Sequence, residues 1–244
     1  HIAGEYQPGW MLLSYGKKVS VSSSLEGYPA ENIVDEDART AWVAQSNRDM
    51  EWAQVDLQRL SSIHAIQVNF DEYGANQKGA VSGVYQSYLI YASVNGEDWS
   101  LVVDYGTKKT DTPHDYIEFE EPFKARYIKL QNKEYMVSEN FSVRDLRIFG
   151  KGQGSTPRAV NDFTVERDEA DPCKARLCWE AVPDAQGYIV RYGIAGDKLY
   201  NNFQVMGENT LEIGSLNKGV AYYFTIDAYN ENGITRTSRI KVCR

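Results

Sequence analysis

The chain reads as an all-β protein made of two antiparallel sandwiches in tandem, and three observations predict it. Aromatic residues make up 12% of the 244, driven by 17 Tyr, and β-branched and aromatic runs outnumber any long Ala/Leu/Glu helical pattern. Short runs with period-two alternation recur, separated by turn chemistry. A polar, Gly-rich stretch closed by proline, Lys151-Gly-Gln-Gly-Ser-Thr-Pro157, divides the pattern, and the length is enough for two ordinary domains.

In chain order, residues 1–16 form a lead-in in which Trp10-Met-Leu-Leu13 follows a Pro8-Gly9 turn. Such an apolar patch near a terminus docks on its own domain or on a neighbour outside the chain. The start at His1 rather than Met suggests excision from something longer. Residues 17–150 carry eight strand-like runs: Lys17–Ser22, Trp52–Leu57, Ala65–Phe70, Tyr88–Val94, Leu101–Tyr105, Tyr116–Glu120, Arg126–Gln131 and Val143–Phe149. Ile66, Val68 and Phe70 share a face, as do Ile128 and Leu130, and eight such strands argue for an antiparallel sandwich or jelly roll. Asn95-Gly96 is a hairpin signal, because both residues tolerate positive φ. Residues 151–158 read as a linker. From 159 to 244 a second β pattern begins, with Leu177 and Trp179 on one inward face, then Gly187–Tyr192 and Tyr222–Ala228.

Residues 1–150 carry the whole net charge of −8, while 151–244 are balanced. An acidic first domain is a poor partner for nucleic acid or anionic lipid, which reward clustered Lys and Arg. The sequence has no run of 18 apolar residues, so no helical membrane insertion is expected, and no signal peptide is apparent.

Tyr28–Trp42 is the run around which the first domain is organised. It is too polar for a core strand, and it spaces oxygen donors closely (Asn32, Asp35, Glu36, Asp37, Thr40) between the anchors Ile33, Val34 and Trp42. Such a loop suits a hard cation such as Ca²⁺, which takes about six to eight oxygens. The alternative is a solvated acidic loop without metal. Ala-x-Asn-x-x-Asp-x-Asp-x-x-Thr-x-Trp, from Ala30 to Trp42, resembles the signature loop of the discoidin, or coagulation factor 5/8 C-type, domains. Trp52–Leu57, Ser93-Val-Asn-Gly-Glu-Asp-Trp99, Ala125–Leu130 and Arg144–Gly150 resemble further family segments in the same order. The resemblance implies a galactose-binding-like jelly-roll sandwich, the fold shared by carbohydrate-binding modules. It also implies a structural calcium held by the side chains of Asp35 and Thr40 and by backbone carbonyls at Ala30, Asp37 and Thr40. The family's closing-strand glutamate falls on Asp145, one methylene shorter.

Residues 159–244 resemble a fibronectin type III domain. Lys218 stands where the corner motif usually has Pro, and Tyr222 is the implied corner tyrosine. Three cysteines, Cys173, Cys178 and Cys243, are too few for a disulfide scaffold. The implied topology lets Cys173 and Cys243 approach; three free thiols are the equal alternative.

In sugar-binding relatives the glycan lies in loops at one end of the sandwich. A sugar's C–H face wants an aromatic plate, and its hydroxyl rim wants Arg, Asn or carboxylates. The loop candidates are Asn47, Arg48, Tyr73, Tyr85 in the Gly-containing stretch 79–86, Tyr135, Asn140 and Phe141. Each alone is more often edge-of-core packing than a sugar platform. Neither His64 nor His114 pairs with a nucleophile motif, and neighbouring acidic residues do not supply a glycosidase dyad about 5–9.5 Å apart across a cleft. No catalysis by this chain is expected. Domain order and local phrasing are similar to the C-terminal part of some bacterial five-bladed-propeller glycoside hydrolases of the xylosidase and arabinosidase type. This implies a plant-type polysaccharide ligand, a catalytic domain N-terminal to the chain, and a periplasmic or extracellular setting. The alternative is a structural module that packs on that catalytic domain through Trp10–Leu13 and binds no sugar.

Overall fold

The computed structural model describes residues 9–75 and 83–244, so His1 and the first half of the stretch 79–86 lie outside the described residues. Among these, every element is a strand except a single 3-10 turn over Ala30–Val34. Contacts divide the chain into two compact units, one of Leu12–Gln153 and one built on Gly154–Arg244.

The first unit contains β1 (Met11–Leu12), β2 (Lys18–Val21), β3 (Trp42–Val43), β4 (Trp52–Phe70), β5 (Gln86–Ser93), β6 (Ser100–Tyr105), β7 (His114–Tyr135) and β8 (Ser142–Gly152). They join in the order β1-β8-β4-β7-β5-β6, with β2 added on β4 and β3 on β8. Two pairs of expected strands are each one long strand, since Trp52–Leu57 and Ala65–Phe70 are both in β4, and Tyr116–Glu120 and Arg126–Gln131 are both in β7. The β4–β7 register shifts between Asp56 and Ser61 and again between Ile63 and Ala65. At the first shift Gln58 takes φ 66 and the strand exposes Gln58, Arg59 and Leu60 in succession. Extra residues at a bulge bend and twist a strand. Each long strand thereby serves two layers. In one, β2, the start of β4, the end of β7, β5 and β6 lie side by side; in the other, β8, the end of β4 and the start of β7. Between them Val55, Ile63, Ile66, Val68, Ile90, Ile128, Leu130, Leu146 and Ile148 are fully buried.

The lead-in is not a free patch. Met11 and Leu13 are buried, and the Leu13 N–H donates to the Ile148 carbonyl at 2.8 Å. Asn95 and Gly96 lie between antiparallel β5 and β6, in a loop over Val94–Trp99 rather than a two-residue turn. Asn95 Oδ1 accepts from the Glu97 and Asp98 N–H groups (2.9 Å each), and Gly96 takes φ 83.

The second unit contains β9 (Phe163–Arg167), β10 (Ala175–Trp179), β11 (Gly187–Gly193), β12 (Asn201–Met206), β13 (Thr210–Ile213), β14 (Tyr222–Asn230), β15 (Gly233–Thr235) and β16 (Lys241–Cys243). One sheet runs β13-β10-β9; the other runs β12-β11-β14-β15, with β16 also on β14. Leu177 and Trp179 enter a core shared with Val190, Ile213, Phe224 and Ile226. Tyr222 is buried, and its hydroxyl accepts from the Asn217 N–H at 3.2 Å. The three cysteines are free, with Cys243 buried and Cys173 exposed. The stretch expected as a linker is held: Lys151 and Gly152 finish β8, and the Asn230 and Asn232 side-chain amides donate to the Ser155 carbonyl at 3.0 and 2.9 Å.

Candidate functional site

The signature loop is pinned from both sides. Ile33, Val34 and Trp42 are buried, the Trp42 indole N–H donates to the Ser23 carbonyl (2.9 Å), and Asn32 Nδ2 donates to the Ala41 carbonyl (2.8 Å). Inside it, Asp35 Oδ1 accepts the Asp37 N–H at 2.8 Å, which helps hold the intervening Glu36 at φ 60. Thr40 Oγ1 lies 2.8 Å from Asp35 Oδ2 and 3.0 Å from the Asp37 carbonyl. Three of the expected calcium donors therefore converge, at the spacing of neighbouring oxygens around one hard cation.

The remaining donors go elsewhere. The Asp37 carboxylate is forked by Arg39 at 3.0 and 2.8 Å, and that hydrogen bonding holds its pKa down at about 2. Glu36 is forked in the same way by Arg147, at 3.0 and 2.7 Å. Asp145, nearly buried, accepts from Asn69 Nδ2 at 2.8 Å, and Asn69 Oδ1 lies 3.1 Å from His114 Nδ1. Among the described residues no three His, Cys, Asp or Glu side chains cluster as metal ligands. The loop thus fits a calcium ion in donor type and spacing, with one carboxylate and neutral oxygens rather than a ring of acids.

At the loop end, three connections are laced together. The Ala44 N–H donates to the Phe141 carbonyl (2.8 Å), the Phe141 N–H to the Ser46 carbonyl (2.9 Å), and Asn140 Nδ2 to the Ala44 carbonyl (2.9 Å). Asn47 Nδ2 reaches the Ser138 carbonyl at 2.8 Å, and Asn132 Nδ2 holds the Asn47 and Arg48 carbonyls at 2.8 and 2.9 Å. Glu51 draws in the serine loop, accepting from Ser22, Ser23 (2.8 Å) and Ser46 (2.7 Å).

This lacing sorts the sugar-contact candidates. Tyr135 and Phe141 are not rim residues: they are 1% and 0% exposed and pack edge to face at 5.3 Å over Phe70 and Trp42. Burial pushes the Tyr135 phenol up, and its hydroxyl donates to the Asp71 carbonyl. Both expectations fail for one reason: an aromatic between strand and loop fills the hole beneath the lacing. The Asn47 and Asn140 amides face inward as staples, while Arg48 is exposed at the tip. The Tyr85 hydroxyl donates to Glu134 (2.7 Å), and Lys109 sits 4.9 Å over its ring, so one face is covered. Tyr73 is half-exposed and meets Tyr28 edge to face at 4.9 Å. Tyr28 was not among the expected contacts; its only signal was an aromatic in a polar loop just before Pro29. The structure therefore brings Asn47, Arg48 and Asn140 together, leaves Tyr73 with Tyr28, and withdraws Tyr135 and Phe141.

The first unit is thus a two-layered β-sandwich with a pinned acidic loop and a laced loop end. The chain belongs to the F5/8 type C domain family, whose model matches residues 18–145, just over half of it, and its first unit has the galactose-binding-like jelly-roll fold. It is similar to lactadherin of Rattus norvegicus, 33% identical over 110 residues, covering 42% of this chain and 25% of that protein. It is also similar to mouse lactadherin, 32% identical over 110 residues, covering 42% and 23%. The chain thus spans about a quarter of the length of these curated relatives. Similar solved structures include chitosan-binding module 2, in complex with chitotriose, from a Paenibacillus sp. IK-5 chitosanase/glucanase (19% identity, TM-score 0.48, covering 57% of this chain and 99% of that one). The family 32 carbohydrate-binding module of Clostridium perfringens NanJ, in complex with galactose, is another (18% identity, TM-score 0.46, 57% and 98%).

Proposed function

We propose that this chain is a non-catalytic carbohydrate-binding region that works outside the cell. Family membership supports the class, and the half-exposed Tyr28–Tyr73 pair at the loop end is the observation that carries the reading. The two rings meet edge to face at 4.9 Å and 69° and are only partly buried, and a sugar's C–H surface stacks on an aromatic ring of that kind. The ligand is a neutral polysaccharide chain of plant type, and the region serves a glycoside-hydrolase catalytic domain encoded before it. The second unit, from residue 159, is a fibronectin type III sandwich; its two sheets and the Tyr222–Asn217 corner bond support that assignment.

A structural calcium completes the reading. Asp35, Thr40 and the Asp37 and Ala30 carbonyls would hold it, with Asp145 as a further donor once freed from Asn69. The ion would neutralise Asp35 and tie the loop to the closing strand, and it would do no chemistry. The rival reading, a module docked through Trp10–Leu13, has lost its motive, because Met11 and Leu13 are already buried.

Calorimetry of the whole chain against a panel of neutral oligosaccharides tests the proposal. Tyr73→Ala should bind about tenfold more weakly with an unchanged unfolding midpoint, the cost of one truncated anchor. No binding by the unmodified chain, or equal binding by the variant, refutes it.

A further inference from the structure

A different face carries a second inference. In the layer that holds β2, the start of β4, the end of β7, β5 and β6, cross-strand registers lay the outward side chains in three rows. One row is Asp104, Leu89, Gln131 and Trp52; the next is Leu101, Tyr91, Lys129 and Gln54; the third is Tyr127, Asp56 and Lys18. Strands about 4.8 Å apart make such rows a grid. The Val94–Trp99 loop folds down over its edge. A Cβ at Gly96 would lie 3.3 Å from the Tyr127 ring, and Trp99 meets Tyr127 edge to face at 6.5 Å. Lys129 stands at the centre with its ammonium 4.0 Å from the Trp99 ring centroid and 5.3 Å from that of Trp52.

Two ion pairs serve this face, and Lys18, Asp104 and Lys129 are in neither. Arg126 forks Asp56 at 2.8 and 2.9 Å, and Lys133 pairs with Asp49 at 2.6 Å. Among the described residues no carboxylate pairs with Lys129, although the chain carries a net −8 and acidic side chains are plentiful. Its burial lowers its pKa, a sign that its water is partly stripped and not replaced by an anion. Ring faces attract such a cation and leave its N–H donors unspent. Apolar side chains border the grid: Leu101 is 48% exposed and Met50, whose sulfur takes Gln131 Nε2 at 3.2 Å, is 63% exposed.

We propose that this sheet face is a second carbohydrate-binding surface, selective for chains bearing carboxylated (uronic acid) sugars. The pyranose C–H face would lie along the indoles, and the carboxylate would take the free donors of Lys129. An extended chain suits rows of exposed side chains, and the ring-only cation discriminates against neutral sugars of the same shape. The surface shares no residue with the Tyr28–Tyr73 pair, so it stands whether or not that site binds.

Tetragalacturonate is the probe, with its fully methyl-esterified form as the neutral counterpart, titrated into the whole chain by calorimetry and tryptophan fluorescence. The acidic probe should bind saturably and change the emission, because Trp52 and Trp99 flank the site; any binding of the neutral one should be the same in Lys129→Met as in the unmodified chain. Lys129→Met should weaken acidic-probe binding by about tenfold or more, the value of a lost charge-assisted contact. Lys129→Arg should retain it, and Tyr73→Ala should leave it unchanged. Absent acidic-probe binding, undiminished binding by Lys129→Met, or loss in Tyr73→Ala overturns the proposal. Loss of neutral-sugar binding in Tyr73→Ala alone would bear on the loop-end site instead.

Discussion

At the residue scale, Asp56 shows how a local pair answers to pH. Hydrogen bonding from Arg126 holds its carboxyl below the ordinary carboxylate range. A depressed native pKa contributes stability that is present above the unfolded value, about 3.9, and is lost as pH falls through the folded one. Asp56→Asn should therefore lower stability at pH 7 by about 0.5–1 kcal/mol, a modest figure because Arg126 is 40% exposed. The deficit should shrink as pH falls below about 3.9 and through the depressed native value, as urea midpoints across that range would show. Tyr135 and Phe141 show the opposite limit of a residue-level reading. A loop aromatic has the same letter whether it faces a ligand or plugs a core, and only their 1% and 0% exposure separates the cases.

At the element scale, the closing strand β8 depends on Gly150. A Cβ there would lie 1.9 Å from the Ser62 carbonyl oxygen, on the strand that pairs with it. Backbone cannot yield as a side-chain tip does, so Gly150→Ala should cost about 1–3 kcal/mol, read from chemical unfolding. The signature loop makes a metal-dependent prediction. Calcium at about a hundredfold its Kd should stabilise the chain by about 2.7 kcal/mol, and Asp35→Asn should abolish the chelator-sensitive part. The elements were legible where alternation is clean, as in Ile66, Val68 and Phe70. They were not legible at Leu57–Ile63, where the bulge breaks the period and hides the continuity of β4. The pairs Glu36–Arg147 and Asp37–Arg39 were also hidden, because arginine reach does not show in the spacing of the loop's own oxygens.

At the scale of the whole molecule, each unit has its own core: Ile66, Val68, Leu130 and Ile148 in the first, Leu177, Trp179, Phe224 and Ile226 in the second. Residues 12–153 expressed alone should therefore fold cooperatively, with dispersed amide NMR resonances and a single unfolding transition.

The sequence by itself determined the all-β class, the two-part division and the family, because alternation, turn residues and an ordered series of motifs are local properties. Tertiary structure decided what each loop residue is for. It turned the Asn47 and Asn140 amides inward, sank Tyr135 and Phe141, paired Tyr73 with Tyr28, and set Lys129 between Trp52 and Trp99. Those outcomes depend on which distant segments the registers bring side by side, and a residue's own neighbours in the chain carry no record of that.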